Sequence, residues 1–272
     1  MLGKVIAIAN QKGGCAKTTT AVNLAAALTQ LGKKVAIIDA DPQGNCTVAL
    51  GYAQPDELPV TLANILLDIV NGEGVDLGEG ILHHEEGIDL IPANIELSGL
   101  EVSMTNVMSR EMILKSYVEE IRYYYDYVLI DCMPSLGMLT INALAAADSI
   151  IIPVQTSYLP VKGLEQLLST ISKVRRQLNR GLHIEGILLT IVDLRTNYAK
   201  DIIATVHATY GTDENVGTFA THIPRSVRAE EACAEGVSIY KYRPDCKIAR
   251  AYMNVAKEVL ENEREEASWT EN

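Results

Sequence analysis

Tryptophan and phenylalanine occur once each among 272 residues. Although tyrosine is used twelve times, the chain offers no evident platform for stacking the bases of a single strand. Positive charge is also short: 23 lysines and arginines face 35 aspartates and glutamates, for a net charge of -12. That balance argues against a protein that coats nucleic acid over its whole surface, and leaves room for a local basic face. The five cysteines (Cys15, Cys46, Cys132, Cys233, Cys246) include no C-x-x-C pair. Their scatter speaks against a disulfide framework, structural zinc or an iron–sulfur cluster within one chain. No apolar stretch approaches the roughly 20 residues that span a bilayer. No secretory leader is legible ahead of the first apolar run, so a reducing cytoplasm is the expected compartment. What remains is a globular balance, 48% hydrophobic and 21% charged, long enough for one large α/β domain.

The informative stretch is Asn10-Gln-Lys-Gly-Gly-Cys-Ala-Lys-Thr-Thr-Thr20. Val5 to Ala9 before it reads as a buried strand; Ala21 to Leu31 after it carries apolar residues at helical spacing and stops at Gly32, a C′ glycine. Strand, Gly-rich loop, Lys-Thr and helix is the arrangement that holds a nucleotide's phosphates. A helix N-terminus leaves amide N–H groups unpaired, and the aligned peptide dipoles favour an anion there. Gly13 and Gly14 allow close backbone approach, Lys17 supplies a mobile positive charge, and the Thr18 hydroxyl suits a Mg²⁺ shell. The general pattern is G-x-x-x-x-G-K-[ST]. Neither defining glycine is present, Ala16 standing for the second, and an extra lysine, Lys12, precedes Lys17 by five positions.

Further strands are expected at Lys34–Ile38, Ile88–Pro92, Tyr127–Asp131, Ser149–Val154, Gly186–Val192 and a short Phe219–Pro224. Helices are expected at Thr47–Gly51, at Leu62–Val70 with Thr61 as N-cap, and once or twice within Leu97–Glu120. Others are expected at Met138–Ala147, Val161–Leu178, Asn197 to about Tyr210 and Ala249–Asn262. This alternation predicts a mostly parallel twisted sheet covered by helices on both faces, as one P-loop domain over residues 1–262. Residues 263–272 read as a frayed acidic tail. Asp39-Ala-Asp41-Pro-Gln-Gly-Asn45 and Asp131 both follow apolar strands, in the crevice where open α/β sheets bind ligands. Asp131 in that setting is a Mg²⁺ carboxylate acting through the ion's water shell. Asp39 and Asp41 could instead cap a turn, and Cys15 reads as a small filler.

The strings N-Q-K-G-G-C-A-K-T-T-T, D-A-D-P-Q-G-N, D-C-M-P-S-L-G, D-L-R-T-N and I-P-R-S-V-R, in that order, resemble the ParA family of DNA-partitioning ATPases, also called Soj-like proteins. These belong to the deviant Walker A group that includes MinD, and the resemblance runs from Val5 to about Glu258. It implies an ATPase that uses ATP and Mg²⁺, with the loop residues Lys12, Gly13, Gly14, Cys15, Ala16, Lys17, Thr18 and Thr19 around the phosphates. Lys12 would cross a dimer interface to the partner's ATP, Lys17 would act in cis, Thr18 would ligate Mg²⁺ and Thr19 would meet the α-phosphate. Asp41 would position the attacking water. Thr190 and Pro224 would lie beside the adenine. The family binds DNA nonspecifically as an ATP dimer, which implies contacts from Arg195 and Arg228.

The residues themselves add a basic C-terminal cluster of Lys241, Arg243, Lys247 and Arg250, and a second at Lys173, Arg175, Arg176 and Arg180; for any one of them alone a solvated helix face is the favoured reading. The expected partners are a second copy, nonspecific DNA and a ParB-like centromere-binding or adaptor protein, in a nucleoid-associated setting and not a membrane. A positioning ATPase for a protein cargo, such as a carboxysome or chemoreceptor cluster, would use the same chemistry with another adaptor. A MinD-like membrane cycle fits poorly, because the final helix ends in glutamates that anionic lipid repels. An iron-protein type ATPase would need C-P-x-C, and a metabolic ligase of the dethiobiotin synthetase kind fits the D-P-Q-G-N and P-S-L-G segments poorly. No helix-turn-helix fits before the first strand, so autorepression through an operator is not expected.

Overall fold

Parallel strands buried on both faces need long apolar runs, and the computed structural model, which describes residues 2–156, 161–213 and 215–270, places such runs at the centre of one sheet. Its strands are β1 (Lys4–Ile8), β2 (Val35–Ala40), β3 (Leu82–His83), β4 (Ile88–Ile91), β5 (Tyr127–Cys132), β6 (Ser149–Gln155) and β7 (His183–Thr190). Their order is β3-β4-β2-β5-β1-β6-β7, parallel throughout except for the β3–β4 pair. The helices are α1 (Lys17–Gln30), α2 (Asn45–Ala49), α3 (Leu62–Asn71), α4 (Glu96–Ser103), α5 (Ile113–Ile121) and α6 (Met138–Ala146). The second half adds α7 (Val161–Gln177), α8 (Asn197–Tyr210), α9 (Val227–Ala234), α10 (Ile239–Tyr242) and α11 (Lys247–Thr270).

Side chains alternate across each strand and so divide the core in two. Val5, Ala7, Ile38 and Ile130 join α3 to α7 on one face; Ile6, Ile8, Ile37 and Leu129 join α1, α2 and α9 to α11 on the other. Helix α1 is buried from Thr20 to Leu28 because it lies between the sheet and α11, and its alanines admit that close packing. It ends before Gly32, which adopts φ +80 as expected of a C′ glycine. The chain reverses direction across the sheet at β1, whose neighbours are β5 and β6. Its C-terminal end is therefore the switch point at which the site is built.

The structure departs from these expectations locally. Phe219–Pro224 is not a strand: Thr218 and Pro224 make single bridges to Ile187 and Val192, and between them the Glu258 carboxylate of α11 accepts from the Ala220 and Thr221 amides (2.8 and 3.0 Å). Leu97–Glu120 carries two helices, α4 and α5, as expected, separated by tight turns and by Ser109 at φ 54. The short elements β3, α9 and α10 carry too little periodicity to be read from sequence. Helix α11 continues past Asn262 through Thr270. Asn262 donates to Glu185 (3.2 Å) and the Tyr127 hydroxyl donates to Glu263, which fixes the helix to the N-terminal edge of the sheet.

Glu185 is the centre of that attachment. Its carboxylate lies 2.9 Å from Lys4 Nζ, and both side chains are buried. Burial alone would push its pKa up, but hydrogen bonds from His183 and Lys4, with the Lys4 charge, pull it down to about 2. A depressed carboxylate stabilises the fold above its unfolded pKa, and that contribution is lost as pH falls through the folded value. Urea unfolding between pH 6 and pH 2 should therefore show the wild-type chain losing stability below its ordinary value of 4.5. Glu185→Ala should cost about 3–5 kcal/mol at neutral pH, because the buried Lys4 charge loses this carboxylate, and should flatten the acid limb.

Candidate functional site

The loop between β1 and α1 is held from below by side chains on neighbouring strands. Asn10 Nδ2 donates to the Pro153 carbonyl (2.6 Å), and its Oδ1 accepts from the Lys12 amide (3.0 Å). Thr190, buried at the end of β7, donates through Oγ1 to the Cys15 carbonyl (2.9 Å). The Cys15 thiol is buried and donates to the Lys12 carbonyl, which also accepts from Lys17 Nζ (3.2 Å in each case). Burial pushes the Cys15 pKa up, which fits its reading as a filler. Gly14 adopts φ +71, and a Cβ at Gly13 or Gly14 would meet nothing within 4 Å, so the loop's outer face is open to a ligand.

Ala16 is the left-handed turn into α1, at φ 66 and ψ 35, with no side-chain cap. That conformation brings Lys17, Thr18 and Thr19 into the first turn, facing a cleft of about 690 Å³ that Gly13, Gly14 and Asp41 also line. A second cleft of about 510 Å³ adjoins it and is lined by Pro224, Thr156, Asp193 and Tyr198 among others. Ala16, Thr19 and Ile191 line both, so a phosphate chain in the first can lead to a base in the second. Ile191 was not legible as a site residue. It sits just past β7 at φ 53, a rare conformation for a β-branched side chain, at the seam of the two clefts. Thr190, expected beside the base, lines neither cleft; it supports the loop from beneath.

Three carboxylates stand at the ends of β2 and β5. Asp39 and Asp131 are register partners on adjacent strands and are fully buried. Asp39 accepts from the Thr47 hydroxyl (2.8 Å), the Thr47 amide (2.9 Å) and the Asp41 amide (3.2 Å). It therefore anchors the D-P-Q-G-N turn, and Asp41 projects from that turn into the cleft wall. Burial raises the pKa of both Asp39 and Asp131, and the neighbouring Asp39 raises Asp131 further. Thr18 Oγ1 donates to Asp131 Oδ2 at 2.6 Å, while Asp131 Oδ1 is buried with no hydrogen-bond partner. An orphaned carboxylate oxygen beside a hydroxyl is an all-oxygen donor set suited to Mg²⁺. No cluster of three or more His, Cys, Asp or Glu side chains that could hold a metal occurs among the described residues.

The basic residues fall into two groups. Arg195 is exposed and forks onto Asp193 (2.8 and 2.6 Å), Arg228 pairs with Glu231 (3.0 Å), and Lys241 pairs with Glu85. Arg243, Lys247 and Arg250 are exposed and make no ion pair among the described residues. Glu231 also accepts from the Tyr242 hydroxyl (3.0 Å), which places Arg228 next to this C-terminal set. Arg195 stands apart on the turn that leads into α8.

The strained turn gives a direct test. A left-handed L-residue costs roughly 1–2 kcal/mol, partly offset by the greater backbone freedom that glycine loses on folding. Ala16→Gly should raise unfolding stability by about 1 kcal/mol in denaturant titrations, whereas Ala16→Val should lower it.

Comparison with known proteins agrees with this geometry. A family model described as an AAA domain matches residues 3–184. The chain is 45% identical to sporulation initiation inhibitor protein Soj of Bacillus subtilis, over 96% of its own length and 100% of that protein. It is 40% identical to chromosome partitioning protein ParA of Caulobacter vibrioides, over 96% of each chain. A solved structure described as cobyrinic acid a,c-diamide synthase from Mycobacterium smegmatis, with bound ADP and magnesium, superposes with a TM-score of 0.84 at 37% identity. That match covers 97% of this chain and 96% of the other. With a two-lysine phosphate loop, an Asp39-anchored turn and Asp131 at the switch point of a mostly parallel sheet, the chain belongs to the Soj/ParA family of P-loop ATPases.

Proposed function

We propose that this chain is a partitioning ATPase that binds ATP and Mg²⁺ between two copies of itself, binds DNA without sequence preference in that state, and is released by hydrolysis. The observation that carries the reading is the division between two lysines on one loop. Lys17 faces the phosphate cleft with Thr18 and Thr19, whereas Lys12 lies outside that cleft's lining, its Nζ 3.4 Å from Gln155 Oε1. A lysine set off its own cleft can serve the cleft of a second copy.

When bound, ATP with Mg²⁺ supplies an electrophilic γ-phosphorus whose transfer needs positioning and charge neutralisation more than covalent help. The open N-terminus of α1 and Lys17 neutralise the phosphates in cis. Thr18 would ligate the cation and Asp131, ionised, would hold it through its water shell. Asp41, aimed by the Asp39–Thr47 anchor, orients the attacking water. Lys12 of the second copy completes the charge, so hydrolysis requires association and acts as a timer. Arg195, Arg228 and the cluster of Lys241, Arg243, Lys247 and Arg250 supply the DNA surface. A ParB-like partner stimulates hydrolysis, and the nucleoid is the place of action. Among the described residues no helix is long and apolar enough to cross a membrane, and the glutamates late in α11 disfavour a MinD-like lipid cycle.

Positioning of a protein cargo is the same chemistry under a different adaptor. An amide synthase, the description carried by the Mycobacterium smegmatis structure, is less well supported. The chain is 45% identical to Soj over 100% of that protein, against 37% to that structure.

Binding to a nonspecific duplex should be tight with ATP, weak with ADP or no nucleotide, and should fall steeply along a salt series. Equal binding in all three states, or none, contradicts the proposal. Lys12→Ala should retain ATP binding and lose ATP-dependent DNA binding. Asp41→Asn should leave ATP binding intact and lower kcat by about 10²-fold or more in a phosphate-release assay.

A further inference from the structure

Helix α1 is buried from Thr20 to Leu28, and within its apolar packing stands Asn23, 2% exposed. A buried amide costs free energy unless both ends are paired, and here both are. Asn23 Nδ2 donates to the Thr19 carbonyl (2.7 Å), and Oδ1 accepts the amide N–H of Ile239, the first residue of α10 (2.8 Å). A second link runs beside it. The Thr20 hydroxyl donates to the Ala16 carbonyl (2.7 Å) and lies 3.2 Å from the Tyr252 hydroxyl of α11. Since the single Thr20 proton is engaged on Ala16, Tyr252 is the donor in that contact.

The upstream ends of both links are the carbonyls of Ala16 and Thr19, residues that line the two clefts. The downstream ends are α10 and α11, which Tyr240 joins by donating to the Ala249 carbonyl (2.8 Å). From these elements project Lys241, Arg243, Lys247 and Arg250. The N-terminus of α10 is held on its other side by Glu86 of the β3–β4 turn, which accepts from the Ser238 amide (2.8 Å) and from the Ser238 hydroxyl. Close-packed interiors transmit small displacements instead of absorbing them. The first turn of α1 is thus joined to the basic elements by two buried contacts.

We propose that Asn23 and Tyr252 are positioning residues that couple occupancy of the nucleotide cleft to the placement of the basic surface on α10 and α11. The proposal rests on the DNA-binding reading above and assigns its regulation. Coupling of this kind is typically worth about 5–150-fold in affinity.

The test measures anisotropy of a fluorescent nonspecific duplex on the full chain with ATP–Mg²⁺ and without nucleotide, and takes the ratio of the two affinities. Asn23→Ala should reduce that ratio about fivefold or more, while ATP affinity and ATP-driven self-association stay within about twofold of wild type. Tyr252→Phe removes one hydroxyl and keeps in place the ring, which itself borders the second cleft, so its ratio is taken at saturating ATP. It should reduce the ratio in the same direction, and it decides the matter if Asn23→Ala fails to fold. A purely structural role would lower the melting temperature and leave the ratio unchanged. An unchanged ratio in both variants, with the wild-type chain responding to ATP, overturns the coupling alone. No ATP response in the wild-type chain overturns the DNA-binding reading and the coupling with it.

Discussion

The structure depends on one backbone constraint, the left-handed turn at Ala16 that ends the phosphate loop and begins α1. It aims the open amides of the helix at the cleft and sets Lys17, Thr18 and Thr19 in its first turn. An alanine there is strained, so the turn persists because its surroundings over-determine it. Thr190 grips the Cys15 carbonyl from β7, Thr20 grips the Ala16 carbonyl from within the helix, and α1 is packed between sheet and α11 along most of its length. The second strained residue, Ile191, follows Thr190 directly and faces the same clefts. Strain at the site is thereby borne by the most buried part of the fold.

Electrostatics are divided in the same spatial way. Negative charge dominates the chain overall, yet the acids at the site are either fully buried or set into the cleft wall, with Asp131 left an unpartnered oxygen. On the exposed C-terminal elements, Arg228 and Lys241 are already paired to Glu231 and Glu85, while Arg243, Lys247 and Arg250 make no ion pair among the described residues. A surface of this kind binds a polyanion only where several weak contacts act together. This is why a proposed dimer, which doubles the surface, matters more than any one arginine.

Much of this was legible in the sequence wherever one signal had one cause. Apolar runs of five or six residues gave β1, β2 and β5 nearly to the residue, because strands covered on both faces have no polar alternation to blur them. The phosphate loop was legible because its glycines, lysines and threonines act locally. Nothing local signals that Thr190 donates to the Cys15 carbonyl, since whether a buried hydroxyl meets a ligand or a carbonyl is decided by tertiary packing. The Phe219–Pro224 segment failed as a strand for a similar reason: Glu258, far along the chain, takes its amides. Ile191 carried no signal, because nothing in its side chain predicts a positive φ. Nothing local signals that α11 is held to the sheet at Asn262 and Glu263, because their partners, Glu185 and Tyr127, lie on distant strands.

The central claim is that Lys12 serves the nucleotide of a second copy. Mixing two inactive variants tests it most directly: Lys12→Ala, which keeps Asp41, and Asp41→Ala, which keeps Lys12. In a mixed dimer one composite site has every required group, so equal amounts should regain about a quarter of wild-type ATP hydrolysis if pairing is random and twofold-symmetric. A mixture no more active than the sum of its parts, although both variants still associate with ATP, would contradict the account.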